Sequence, residues 1–161
     1  MNNLSLMSNS AASTKTIGVR MGQLSQPGDV FLLSGDLGAG KTCLTQGMAW
    51  GLGIEGYVRS PTFVLVSQHQ GRLPLYHMDI YRLGGLEEVL DLGLEEYLLG
   101  LGVSVVEWAD KSMGAFQQPF LVVSIGISGM DERCLTFQAH GQRYEDLIQM
   151  LSDEFSGIKR Y

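Results

Sequence analysis

One eight-residue stretch constrains this chain more than any other. It follows the pattern G-x-x-x-x-G-K-T, in which small residues let backbone N–H groups wrap a nucleotide phosphate. Its residues are Gly35, Asp36, Leu37, Gly38, Ala39, Gly40, Lys41 and Thr42. We expect Lys41 to reach the β- and γ-phosphates and the Thr42 hydroxyl to bind Mg²⁺. The stretch therefore predicts a phosphate-binding loop.

The flanking residues give this loop the context that the pattern requires. The apolar run Val30–Leu33 predicts a buried strand before it, and residues 43–52 predict a short helix after it. The N-terminus of such a helix carries a positive partial charge that favours phosphate. Cys43 opens the helix, and we interpret it as a small packing residue that borders the nucleotide. A chance match in a glycine-rich chain is the alternative, and the strand–loop–helix context disfavours it.

Composition narrows the class of protein. The 161 residues carry a formal net charge of −6, which argues against a free-standing nucleic-acid binder, because phosphate backbones favour a basic surface. No run approaches the roughly 18 apolar residues of a membrane span. Cys43 and Cys134 lie far apart without metal-ligand spacing, so we expect free thiols in a reducing cytoplasm and no structural zinc.

The order of elements predicts one α/β domain over residues 14–152. Residues 1–13 are polar, lack the pattern of a secretory signal, and are expected to form a flexible tail, as is 153–161. A helix capped by Ser13 or Thr14 should run to Ser25. The remaining predictions are a hairpin over 64–69 and 73–81, two short helices within 86–99, a strand over 102–106, paired strands 120–127 and 134–139, and a helix over 142–151.

Hydrolysis of a nucleotide also requires a carboxylate near the loop. Glu107 directly follows a buried strand, where ligands bind in parallel sheets, although a solvated strand end is the alternative. Asp79 shares a strand face with His77, and the alternatives for it are a structural partner of Arg82 or a solvated hairpin residue. Trp108 is expected to stack on a base or to line a partner-binding surface, and the alternative is a half-buried core aromatic. We interpret His77 as a group that could support the site from behind.

Taken together, the motifs resemble the TsaE (YjeE) family of small bacterial P-loop ATPases. They are the loop itself, Ser60-Pro61-Thr62-Phe63, His77-Met78-Asp79-Ile80-Tyr81-Arg82-Leu83, Leu92-Gly93-Leu94 and Glu107-Trp108. The resemblance covers about residues 14–139. It implies a P-loop NTPase fold with a mixed β-sheet flanked by helices, and weak hydrolysis of Mg-ATP. It also implies action with the TsaB and TsaD proteins in threonylcarbamoyladenosine modification of tRNA next to the anticodon, with tRNA contacted only indirectly.

The resemblance also suggests roles for individual residues. Thr42 and Glu107 match magnesium-site positions, and Arg133 matches a region near the nucleotide. Segments 60–63 and 77–82 match switch-like regions. Cys43 stands where many relatives have threonine, which leaves the Thr42 hydroxyl in place. The segment before the first helix lacks the acidic residues of some relatives, so we expect no nucleotide contact from it.

Two other functions use the same loop. A small-molecule kinase needs an acceptor pocket and an arginine-rich lid, and the arginines near the motifs, Arg59 and Arg82, are isolated in sequence. A nucleotide-sensing module without turnover would not need the Glu107 carboxylate. Lys41, Thr42, Asp79 and Glu107 are therefore the predicted catalytic residues of an ATPase.

Overall fold

The computed structural model describes residues 2–36, 38–59, 66–80, 93–107 and 116–155, together with residues 87, 91 and 114. Within these ranges seven strands form one sheet: β1 (Asn3–Ser8), β2 (Val30–Ser34), β3 (Val66–His69), β4 (Leu75–Asp79), β5 (Val103–Glu107), β6 (Phe120–Ile127) and β7 (Arg133–His140). Their order is β1-β7-β6-β2-β5-β4-β3. The central pairs β6–β2, β2–β5 and β5–β4 are parallel, and the outer pairs are antiparallel. The predicted mixed sheet is confirmed.

Helices cover both faces of this sheet. The described helices are α1 (Ala11–Leu24), α2 (Lys41–Gly51), α3 (Glu95–Leu98) and α4 (Gln142–Glu154). On one face Phe31 and Leu33 pack with α1, α2 and α4, and on the other Val30 and Leu32 pack in a core that includes Leu98 of α3. Strand β2 is therefore apolar on both faces, as expected for a central parallel strand.

Four glycines bring α1 and α2 into backbone contact. A Cβ atom added at Gly18 or Gly22 would collide with carbonyl oxygens of α2, and one added at Gly47 or Gly51 would collide with those of α1. In both helices the glycines are four residues apart, so they share one helix face. The contacts advance in the same direction along both helices, which makes the helices parallel. The N-terminus of α1 is thereby held beside the N-terminus of α2.

The first residues of the chain depart from expectation. Instead of a flexible tail over residues 1–13, Asn3–Ser8 pair with β7, and Leu4 and Leu6 are buried in the core. The helix begins at Ala11, where the Ser10 side chain accepts a hydrogen bond from the Ser13 N–H, so neither Ser13 nor Thr14 is its cap. The abundance of Ser and Asn obscured two inward-facing leucines at strand spacing.

The other elements follow the sequence more closely. The hairpin is confirmed as β3 and β4, with Pro74 before the second strand, and the strand pair as β6 and β7. Helix α4 ends at Glu154, so 153–154 belong to it rather than to a tail, and Phe155 is buried behind it. Only α3 is described within 86–99. In the described part of the chain, no helix is long and apolar enough to cross a membrane.

Candidate nucleotide-binding site

The loop between β2 and α2 adopts a conformation that its glycines permit. Gly35, Gly38 and Gly40 have φ angles of 146°, 82° and 113°, which lie in the region that favours glycine. Within the loop the Ala39 N–H donates to the Asp36 carbonyl at 2.9 Å. Helix α2 starts at Lys41 without a side-chain cap, so its first N–H groups face outward from the helix end. This arrangement suits an anion.

Lys41 lies across the loop that it follows. Its Nζ donates to the carbonyl oxygens of Gly35 at 2.6 Å and Asp36 at 3.2 Å, and the side chain is buried. The ammonium group is thus held next to the N–H groups of the loop. A phosphate bound there would meet both a fixed positive charge and backbone donors.

Thr42 and Glu107 meet beneath the loop, as the sequence predicts for a magnesium site. The Thr42 hydroxyl donates to Glu107 Oε1 at 3.2 Å. Glu107 is the last residue of β5, and its backbone pairs with Leu33 of β2 on one side and Asp79 of β4 on the other. The parallel pairing of three strands therefore brings the carboxylate to the edge from which the loop departs.

The second oxygen of Glu107 is also occupied. His77 Nε2 forms a hydrogen bond with Glu107 Oε2, and the imidazole is completely buried. His77 Nδ1 has no hydrogen-bond partner among the described residues. The carboxylate is thus fixed from both sides, by the hydroxyl of α2 and by the ring of β4. Asp79 is also buried, on the same sheet face as Glu107.

The oxygen donors of Thr42 and Glu107 fit a Mg²⁺ ion that is shared with the phosphates of a nucleotide. Among the residues that the structure describes, no three His, Cys, Asp or Glu side chains converge as a metal site. Mg²⁺ prefers oxygen donors and usually keeps several waters and substrate phosphates, so one hydroxyl and one carboxylate are sufficient protein ligands. The geometry therefore favours a metal that arrives with the nucleotide.

A cavity of about 200 Å³ lies beside the loop. Its lining comes from the loop, from the start of α1 and from the turn between β6 and β7. Within this lining, the Cys43 thiol donates to the Ala11 carbonyl oxygen at 3.4 Å. The lining residues are Ser10, Ala11, Thr14, Gly38, Ala39, Gly40, Cys43, Asp131 and Arg133.

Four of these lining residues, Ser10, Ala11, Thr14 and Asp131, were not among the site residues predicted from the sequence. Ser10 and Ala11 lie in the segment before the predicted first helix, and they border the cavity next to the loop, as does Thr14. The expectation that this segment does not contact a nucleotide stays a prediction. Asp131 carried no motif that could identify it. The signals were structural: the cap at Ser10 and a 2.6 Å hydrogen bond between the Ser8 and Thr14 hydroxyls hold this segment in place.

The other predicted residues are placed as follows. Cys43 and Arg133 border the cavity, and burial raises the pKa of the Cys43 thiol, against smaller opposing effects of the Lys15 and Arg133 charges. Asp36 lies in the loop and bonds Lys41 through its carbonyl oxygen. Leu37, Trp108 and residues 60–63, 81 and 82 lie outside the described residues.

Comparison with known proteins finds relatives over most of the chain. Residues 8–135 match the family described as "Threonylcarbamoyl adenosine biosynthesis protein TsaE". The chain is 49% identical over 140 residues to the Bacillus subtilis protein named "tRNA threonylcarbamoyladenosine biosynthesis protein TsaE", a match that covers 86% of this chain and 87% of that one. It is 41% identical over 130 residues to the Treponema pallidum protein of the same name, covering 81% and 96%.

The fold agrees as well. The crystal structure of Bacillus subtilis YdiB superposes with a TM-score of 0.83 at 42% sequence identity, and covers 94% of this chain and 95% of that one. The α/β P-loop fold with a mixed sheet, which the resemblance to the family implied, is thereby confirmed. The family match and the identities over most of the chain place this protein in the TsaE family.

Proposed function

We propose that this protein is a Mg²⁺-dependent ATPase that supports threonylcarbamoyladenosine modification of tRNA, at the adenosine next to the anticodon. The pathway assignment is supported by relatives that carry that modification in their names. The observation that supports the chemistry is the contact between Thr42 and Glu107 directly under the phosphate loop. A loop that only binds phosphate does not require a buried carboxylate at that point.

Each residue of the site has a distinct role in this proposal. The loop N–H groups and Lys41 bind the β- and γ-phosphates, and Lys41 compensates charge that develops on them. Thr42 and Glu107 supply oxygen ligands to the metal. Bound Mg²⁺ would neutralise phosphate charge and orient the γ-phosphate for attack by water. His77 keeps Glu107 in one orientation, and Asp79 is the second carboxylate available to orient water.

The cavity beside the loop is our candidate for the nucleoside part of ATP. It continues from Gly38, Ala39 and Gly40, and its walls offer the Thr14 hydroxyl and the Asp131 carboxylate as polar groups. Ribose hydroxyls and a base edge are recognised by such groups. Trp108 and Arg133 remain candidates for further nucleotide contacts.

We further propose that the protein is cytoplasmic, hydrolyses ATP weakly alone, and acts with the TsaB–TsaD pair rather than on tRNA directly. A net charge of −6 supports a protein partner over a free RNA. The ATP-bound form should bind the pair more tightly than the ADP-bound form by about 1–3 kcal/mol if nucleotide state controls docking.

Reconstitution tests this function. TsaB, TsaD, tRNA and the threonylcarbamoyl donor are incubated with this protein and ATP, and modified tRNA is counted per TsaD molecule by mass spectrometry. We expect several rounds with ATP and no more than one with a non-hydrolysable analogue. An equal yield of modified tRNA with and without this protein would refute the proposal. Transfer of the γ-phosphate to a small molecule, instead of release as inorganic phosphate, would favour a kinase.

A further inference from the structure

Arg133 joins two parts of the molecule that are distant in sequence. It is the first residue of β7, and its guanidinium donates from Nε to the Ala39 carbonyl at 3.0 Å. From Nη1 it donates to the carbonyl oxygens of Gly129, Met130 and Glu132 at 3.1, 3.3 and 2.8 Å. One side chain therefore closes the turn between β6 and β7 and also holds the phosphate loop.

The carbonyl that Arg133 holds determines where a loop N–H points. In a planar trans peptide the Ala39 C=O and the Gly40 N–H point in opposite directions, and the structure has no cis peptide among its described residues. Fixing the Ala39 oxygen against Arg133 therefore directs the Gly40 N–H away from the β6–β7 turn. Among the described residues this N–H has no hydrogen-bond acceptor, so it is available to a phosphate oxygen.

The orientation of the Ala39–Gly40 peptide needs a contact from outside the loop, because the flanking glycines do not restrict it. Gly38 and Gly40 flank Ala39, and both have positive φ, so the backbone is free to rotate on either side of it. The peptide before Ala39 is held within the loop by the bond from the Ala39 N–H to Asp36. The peptide after it is held by Arg133.

We propose that Arg133 is a positioning residue that orients the Ala39–Gly40 peptide of the phosphate loop before a nucleotide binds. This proposal rests on the proposed nucleotide-binding function and assigns Arg133 a role other than direct charge compensation. Two of its three nitrogens are already committed to backbone carbonyls. A flexible lysine retains the charge but lacks the planar fork that bridges the loop and the turn.

The test compares Arg133→Lys and Arg133→Met with matched changes at Arg72. The Arg72 guanidinium also donates hydrogen bonds to backbone carbonyls, those of Gly22, Gln23 and Ser25. These carbonyls lie at the C-terminal end of α1, away from the cavity. ADP affinity is measured by calorimetry, and the Gly40 amide is followed by NMR in the ligand-free protein. Melting temperatures identify any general loss of folding.

We expect both Arg133 variants to bind ADP about tenfold more weakly, the scale of one lost hydrogen bond to a charged group. Their ligand-free Gly40 amide signal should shift, while the Arg72 variants retain affinity and signal. Full affinity in Arg133→Lys, or weaker binding with an unchanged Gly40 signal, would overturn the proposal in favour of direct contact. If the wild-type protein did not bind ADP, the proposed function would fail, and the ligand-free Gly40 signal would still decide this inference.

Discussion

The phosphate loop and the rest of the cavity lining differ in how the chain builds them. The loop and its carboxylate arise from residues at the ends of parallel neighbours, where pairing of β2, β5 and β4 aligns Leu33, Glu107 and Asp79. The rest of the cavity lining comes from α1, whose start follows β1, and from the turn before β7. The chemistry therefore depends on the loop and on carboxylates at the ends of adjacent central strands, whereas the shape of the cavity also depends on the edge strand β1 and on the β6–β7 turn.

The largest expected effect tests the loop side alone. Lys41→Ala removes the ammonium group that bridges Gly35 and Asp36, and should reduce nucleotide affinity by about 2–4 kcal/mol. Calorimetry with ATP measures it. Arg72→Ala is the control, because the Arg72 guanidinium donates to backbone carbonyls at the C-terminal end of α1, away from the loop. Unchanged ATP binding in the Lys41 variant would contradict the assignment of the loop.

The next effect separates nucleotide binding from hydrolysis at the carboxylates beside the loop. Glu107→Gln retains the shape of the side chain but removes its charge, so nucleotide affinity should stay within about tenfold while hydrolysis falls about a hundredfold. Phosphate release is measured with the partner proteins present. Asp79→Asn is measured in parallel. If hydrolysis persisted in the Glu107 variant and fell in the Asp79 variant, the main catalytic role would move to Asp79.

A smaller effect concerns the rest of the cavity lining, through the packing of α1 against α2. Gly47→Ala places a methyl group against the Lys15 carbonyl and should destabilise the fold by about 1–3 kcal/mol. Because α1 carries Ser10 and Thr14, ADP binding should weaken as well. Gly126→Ala is the matched control, since its added methyl would meet only the Cys134 carbonyl at 3.9 Å. Urea unfolding at several ADP concentrations measures both quantities. Equal stability of the two variants would show that α1 and α2 adjust freely.

The smallest effect concerns the far end of β2 and depends on pH. The Val30 N–H donates to the Tyr144 hydroxyl at 2.8 Å, and burial raises the pKa of Tyr144 to about 12. The unfolded chain releases this proton near pH 10, so the contribution to stability is complete below about 10 and is lost as pH rises towards about 12. Its size is on the order of 1–2 kcal/mol.

Tyr144→Phe has no such proton and should show a shallower loss of stability between pH 9 and 11. Urea unfolding at both values measures the slope, and ADP affinity at neutral pH serves as the internal control, expected to be unchanged. Identical slopes in the two proteins would remove Tyr144 as the cause. Weaker ADP binding would show that a change at the far end of β2 affects the phosphate loop.

The contrast between the loop and the rest of the cavity lining explains which parts of the site the sequence could predict. Gly35 to Thr42 form a local pattern, and Glu107 ends an apolar run, so both were predicted without knowledge of the fold. Ser10 and Asp131 become part of the cavity only through the pairing of β1 with β7 and the turn after β6. No local pattern reports such pairing. The glycines at 18, 22, 47 and 51 were visible as residues, but their meaning depends on which two helices meet.

Strand β1 has a further consequence, for the solubility of the protein. It pairs with β7 along six residues, from Asn3 opposite Gln138 to Ser8 opposite Arg133, and so occupies one edge of the sheet. If it detached, the outer N–H and C=O groups of the eight-residue strand β7 would be exposed to solvent. Such an unprotected edge is a template for strands of other molecules. A variant shortened at its N-terminus should therefore self-associate through β7.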